Sequence, residues 1–534
     1  MFQGVSMKDL FPFLALSSLL SAGAALAAPL TPEAFRDAAY AGDRATVDAA
    51  LREQHQIDVA AHSAEWRQRI LFTTFTNLHP VIDSFTTDWL ADDPASAYAL
   101  TARGWYLFTR GNAVRGERMP HDIYPAAMDQ FRQDHQTAMA LFRKAAVLQP
   151  DLIAASDGIL KTGRTTGSKA DVKAELARIM QIAPFPGSIR RAAEALVPHW
   201  GGSIPEMLET CETYAPLVTD PPGFDTEICA IYIIYESDLW DRRIKQAAAL
   251  VLAENHHPWL DSYHLRDVLQ NGSPAEVIAA LRPAEESPGW ALSTYEAKLL
   301  DEAEFALSGA AGFPTYPRLK AAQARERVAL RAQADLAPLN GAVLRAYINA
   351  LAQSAETPAE RALIDQGDLH RRLKQQLTAM PYDADSWGFM AAQWLDNTLT
   401  GLENAAAFQQ NALAYSNHSL QFLSDVLNAQ FRSLQFPEEA VLLGFTVESL
   451  TDDPARTDRV LYCPFIRNIR LMEAQCSAAG KGWNDCVQGQ FSPADIPQLM
   501  AKAANPQACE HERNAPIQSL YYKPLSVDEA FGRL

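Results

Sequence analysis

The chain has 534 residues, 48% hydrophobic and 21% charged, which is enough apolar material for a sizeable core. Its formal net charge of −18 argues against nucleic acid or an anionic membrane as partner, because both repel unpaired negative surface, and it serves solubility.

The first residues read as a secretion signal. Lys8 supplies a basic start, Leu10 to Leu20 is an apolar core interrupted by Pro12, Ser17 and Ser18, and Ala25-Leu26-Ala27 offers small residues to a signal peptidase. The reading makes residues 1–27 the signal, with cleavage after Ala27 and Met7 as an alternative start. The apolar core is shorter than the roughly 20 residues that cross a bilayer, which weighs against an uncleaved anchor. No cysteine follows it for a lipid anchor, and no later stretch reads as a transmembrane helix. The expected location is the periplasm or the exterior.

From Thr31 onward apolar residues recur at helical spacing, as in Ala138, Leu141, Phe142, Ala145 and Leu148, and sustained two-residue alternation is not found. An opening helical stretch breaks around Arg115 to Tyr124. Beyond it, Pro150, Pro184 and Pro216 each close an amphipathic stretch, at intervals of 34 and 32 residues. That period belongs to two-helix repeats whose hairpins must stack to bury their apolar faces. Ser203–Glu206, Ser273–Glu276, Thr357–Glu360 and Ser526–Glu529 are capping-box patterns, in which a hydroxyl and a carboxylate satisfy free N–H groups at a helix start.

Cys211 and Cys229 stand ten and eight residues from Pro221, so a hairpin turning there brings them face to face. Within His256-His257-Pro258-Trp259-Leu260-Asp261-Ser262-Tyr263-His264, a helix places His257, Asp261 and His264 on one face, a donor set for a divalent metal. Pro258 opposes this, since it suits a first turn and leaves His257 at the cap. Gly309 to Pro314 marks a joint. The reading divides the mature chain into a helical-repeat region at 28–310, a second at 311–450 and a cysteine-rich cap at 451–534. In the cap, Cys476 with Cys486 and Cys463 with Cys509 is the preferred pairing of the three that four cysteines allow, and no Cys-x-x-Cys spacing supports zinc.

Trp387, Met390, Ala391 and Trp394 resemble the first helix of a tetratricopeptide repeat, with alanine where glycine and tryptophan where tyrosine is usual. Phe408 keeps the aromatic of the second helix, whereas Asn404 replaces its alanine. Ala102-Arg103-Gly104-Trp105-Tyr106-Leu107, Arg115-Gly116 and Pro198-His199-Trp200-Gly201-Gly202-Ser203 resemble an uncharacterised family of bacterial helical-repeat proteins over roughly residues 40–260. The resemblance implies fold and origin and brings no activity. Capping explains much of it: Gly201 and Gly202 end one helix through positive φ angles, Ser203 starts the next, and Gly104 permits close helix approach.

The expected fold is therefore an all-α, tetratricopeptide-like α-solenoid with a disulfide-rich C-terminal cap. No nucleophile elbow, His-Glu-x-x-His helix or phosphate-binding loop occurs. The leading reading is an exported scaffold or an inhibitor of the immunity type that binds another protein without catalysis or cofactor. Arg103, Trp105, Arg115, Trp200, Trp259 and Tyr263 are its candidate binding residues. The rivals are a metal-dependent hydrolase using His257, Asp261 and His264 in a cleft between helical regions, and a solenoid binding cell-wall glycan through aromatics.

Overall fold

A computed structural model of the protein describes residues 30–61, 67–116, 120–166, 169–236, 244–245, 248, 252, 257, 260–286, 291–310, 312–354, 366–393, 399–419, 423–424, 426–427, 462–486, 496–497 and 509–531. Among these, every regular element is a helix. None of the described helices is long and apolar enough to cross a membrane.

Helix α1 (Pro32–Tyr40) starts at Thr31, whose hydroxyl accepts from the Ala34 N–H at 3.2 Å while Pro32 occupies the first turn. With α2 (Arg44–Ala61), α3 (Gln68–Phe72) and α4 (Pro80–Asp92) it forms an opening bundle around Phe35, Phe72, Phe75 and Phe85. The repeats follow as α5 (Ala97–Arg115), α6 (Pro125–Leu148), α7 (Ile153–Thr166), α8 (Lys169–Ile182), α9 (Pro186–Ala195), α10 (Ile204–Tyr214) and α11 (Thr226–Glu236). Helices α6, α8 and α10 end just before Pro150, Pro184 and Pro216, so the periodic prolines close the second helix of successive hairpins. The first helices α5, α7, α9 and α11 touch in sequence and make one layer.

Glycine sets the spacing inside this stack. Phe142 of α6 is fully buried, and a Cβ at Gly104 of α5 or Gly158 of α7 would fall 2.6 or 2.5 Å from its ring. The two glycines let α5 and α7 close on one phenylalanine from α6. At the α9–α10 corner Gly201 has φ +81°, and Gly202 is needed for a different reason from the one expected. A Cβ there would sit 1.9 Å from the Leu196 carbonyl oxygen, and its φ is not positive. Ser203 then accepts from the Glu206 N–H at 3.3 Å and starts α10.

The array continues through α12 (Asp261–Asn271), α13 (Pro274–Glu286), α14 (Thr294–Ser308), α15 (Pro317–Leu336), α16 (Gly341–Ser354), α17 (Gln366–Ala379), α18 (Ala384–Gln393) and α19 (Leu399–Tyr415). Gly309, at φ +65°, stops α14 at the expected joint. Trp387 is fully buried and stacks on Phe408 at 6.0 Å, so α18 and α19 pack as the tetratricopeptide pattern implies. Trp394 and Thr357–Glu360 lie outside the described residues.

The C-terminal part holds α20 (Cys463–Ala478), α21 (Trp483–Cys486), α22 (Glu510–Asn514), α23 (Ile517–Leu520) and α24 (Val527–Phe531). Disulfides Cys463–Cys509 and Cys476–Cys486 tie both ends of α20 to its surroundings, and Cys211–Cys229 joins α10 to α11. The fold is an all-α stack of helical hairpins with a disulfide-bonded C-terminal cap. Helix α24 leaves the cap and inserts Phe531 against Phe408 at 5.2 Å.

The second stretch also returns to the first. Tyr40 donates to the Leu336 carbonyl at 2.5 Å, and the Leu339 N–H donates to the Leu78 carbonyl at 3.1 Å. Tyr124 stacks on Tyr382 at 5.7 Å and meets Tyr415 edge-on at 5.2 Å. Leu339 and Met380 share the apolar core of the opening bundle.

Candidate functional site

The layer of first helices carries a pocket that the periodicity alone does not announce. On α7, Asp157, Lys161 and Arg164 are spaced four and three residues apart, which puts them on one face. On α9, Ser188, Arg191 and Glu194 share a face by the same spacing. Phe108 and Asn112 complete the wall from α5. Phe108, Asn112, Lys161, Arg164, Arg191 and Glu194 surround a cavity of about 190 Å³.

Arg191 also belongs to an ion cluster beside the cavity. Asp157, almost fully buried, holds Arg69 through Nε at 2.6 Å and Arg191 through Nη1 at 3.2 Å. Arg69 also donates to the Ser188 hydroxyl at 3.2 Å and lies over the Phe185 ring at 4.4 Å. Burial pulls the Arg69 guanidinium down to about 10, against the opposing pull of Asp157. One carboxylate thus serves two guanidinium groups. Glu194 pairs with Arg190, so it is committed as well.

Lys161 is held differently. Its ammonium lies 5.6 Å from the centre of the Trp105 ring and has no carboxylate within ion-pair distance among the described residues. Burial, then the Arg191 charge, lowers its pKa. Arg164 lies over the Trp200 ring at 5.3 Å. Behind the pocket, buried His135 reaches the Phe108 carbonyl at 3.2 Å and the Thr165 hydroxyl, and burial pushes it down to about 4, so it is neutral at pH 7.

The expected binding residues separate into two groups. Trp105, Trp200 and Tyr263 lie along this layer or its continuation, with Tyr263 stacked on Tyr235 at 5.2 Å and donating to Glu236 at 2.9 Å. The Trp105 indole also donates to the Ala154 carbonyl at 3.1 Å, which fixes α5 to α7. Arg103 instead ties α5 to α4 through Asp83 at 2.5 Å, and Arg115 caps its own helix end at the Gly116 carbonyl and covers Phe131. Trp259 lies outside the described residues.

The metal set is not assembled as the spacing suggested. Helix α12 begins at Asp261, so His257 precedes it and contacts the Pro222 carbonyl at 3.0 Å, off the face that carries Asp261 and His264. The physical cause is Pro258, which suits a helix start and not its interior. No group of three or more potential metal ligands is found among the described residues. A second concavity of about 660 Å³, with His121, Asp122, Asn417, Lys481, Asp485 and Tyr521 on its walls, lies between the α5–α6 connection, the end of α19 and the cap. It borders segments outside the described residues.

Sequence reasoning missed Lys161, Arg164 and Arg191 because they are divided between α7 and α9 and belong to no motif. The available signal was the three-residue spacing of Lys161 and Arg164 on a mostly buried helix.

No family model and no curated protein matches the chain. It is similar to a solved structure described as "Circular tandem repeat protein with novel repeat topology and enhanced subunit contact surfaces", at 12% identity over 94% of this chain and 95% of that one. The TM-score is 0.13, a likeness that carries no argument here.

Proposed function

We propose that the protein is an exported, non-catalytic scaffold that binds another protein along the layer formed by α5, α7, α9 and α11. One observation supports this above the others: the first helices of consecutive hairpins touch in one layer, which carries Trp105 and Phe108 on α5, Lys161 on α7, Arg191 on α9 and Tyr235 on α11. Stacked hairpins offer a surface of this type by construction, and large side chains anchored at their bases bind with little entropy loss. The disulfides and the apolar leader support an oxidising location outside the cytoplasm. In this reading, residues 28–310 supply the binding layer, 311–450 brace it and 451–534 close the end. An inhibitor or immunity role is the sharper form, and it suits an acidic protein without a catalytic constellation.

The test is affinity purification of the mature chain from extracellular or periplasmic extract under oxidising conditions. A stoichiometric protein partner is expected, and its recovery should fall in Tyr235→Ala, on α11 of the layer, but not in Lys298→Glu on α14. Recovery of no partner, or equal loss in both variants, rejects the reading.

A further inference from the structure

The basic pocket has more cationic character than its own acids satisfy, in a chain whose overall charge is −18. Asp157 is divided between Arg69 and Arg191, Glu194 is engaged by Arg190, and Lys161 has no acidic partner in range among the described residues. The Arg191 Nε–H is buried without a hydrogen bond. Holding half-buried cations in this state is unfavourable unless something compensates them. Trp105 compensates Lys161 only weakly, because a ring quadrupole at 5.6 Å replaces little of a lost counterion.

We propose that this pocket is a binding site for a compact oxyanion, a phosphate or carboxylate group carried by the ligand, held by Lys161, Arg164 and Arg191. The volume of about 190 Å³ admits such a group with a short stem and little else. Guanidinium and ammonium groups converging from α7 and α9 supply charge-assisted donors, which are the strong kind. Phe108 lines the α5 side and suits the apolar part of the stem. The site belongs to the same layer as the proposed scaffold surface, so the inference rests on that reading and makes the acidic group one of its recognition elements.

Titration of the full mature chain with inorganic phosphate and, separately, malonate tests it, followed by tryptophan fluorescence and calorimetry. Saturable binding of at least one at millimolar concentration is expected. It should be about 10-fold or more weaker in Lys161→Glu, the scale of one charge-assisted bond, and unchanged in Lys298→Glu. Lys161→Met removes the charge while keeping the stem and replaces the first variant if charge reversal disturbs folding. Binding of phosphate alone assigns a phosphorylated ligand, and binding of malonate alone assigns a carboxylate; either upholds the site. No saturable binding of either probe, or binding that both Lys161 variants retain, overturns it. Partner capture by wild type and Lys161→Glu alike, without oxyanion binding, removes this inference and leaves the scaffold reading intact.

Discussion

Phe142 shows how single residues set the geometry of the stack. Its ring fills the space vacated by the missing side chains of Gly104 and Gly158, at distances no Cβ tolerates. Gly158→Ala is therefore expected to destabilise the protein by about 1–3 kcal/mol in urea unfolding, the usual cost of overpacking, with partial recovery when Phe142→Leu is added. His418 provides a second test. The Tyr522 N–H donates to its Nε2 at 2.8 Å, and burial lowers its pKa from 6.5 to about 4. The unfolded chain thus binds a proton more readily than the folded one. Stability is fully present above about 6.5 and declines as pH falls toward 4, because protonation removes the acceptor for Tyr522. His135 contributes in the same direction. The urea midpoint should drop over this window, less steeply in His418→Asn, which also tolerates the left-handed backbone at φ 53°. A flat profile between pH 7 and 4.5 would contradict the buried, neutral histidines. Residue roles were legible where they concerned helix ends, as at Ser203 and Gly201. They were illegible where a charge waits on another helix, as at Lys161.

Helix ends were the most readable elements. Prolines after α6, α8 and α10 stop helices because they cannot donate and crowd the preceding turn. The boxes at Ser273 and Ser526 form with both bonds, whereas Ser203 and Glu206 bond through their side chains and one N–H. A further full box with the same spacing forms at Ser293–Glu296. The Cys211–Cys229 bridge closes a separation of 18 residues between α10 and α11. Its removal in the Cys211→Ser, Cys229→Ser double variant should lower unfolding free energy by roughly 2–4 kcal/mol. At this scale His257 precedes α12, and a motif spacing puts its members on one face only if the helix already runs through all of them.

At the scale of the whole molecule, hairpin stacking followed from the period, but the return of the second stretch to the first did not. Tyr124, Tyr382 and Tyr415 meet across large separations in sequence, and each looks locally like an ordinary half-buried aromatic. This seam couples the two stretches, so one cooperative unfolding transition is expected in calorimetry. Tyr382→Ala, costing about 1–3 kcal/mol of aromatic packing, should separate it into two. The claim that most depends on this organisation is that the first-helix layer is the binding face. Hydrogen exchange of the protein, with and without a partner captured as above, tests it most directly. Slowed exchange confined to α5, α7, α9 and α11 is the predicted result. Protection that falls instead on α6, α8 and α10, or on the disulfide-bonded cap alone, would contradict the account.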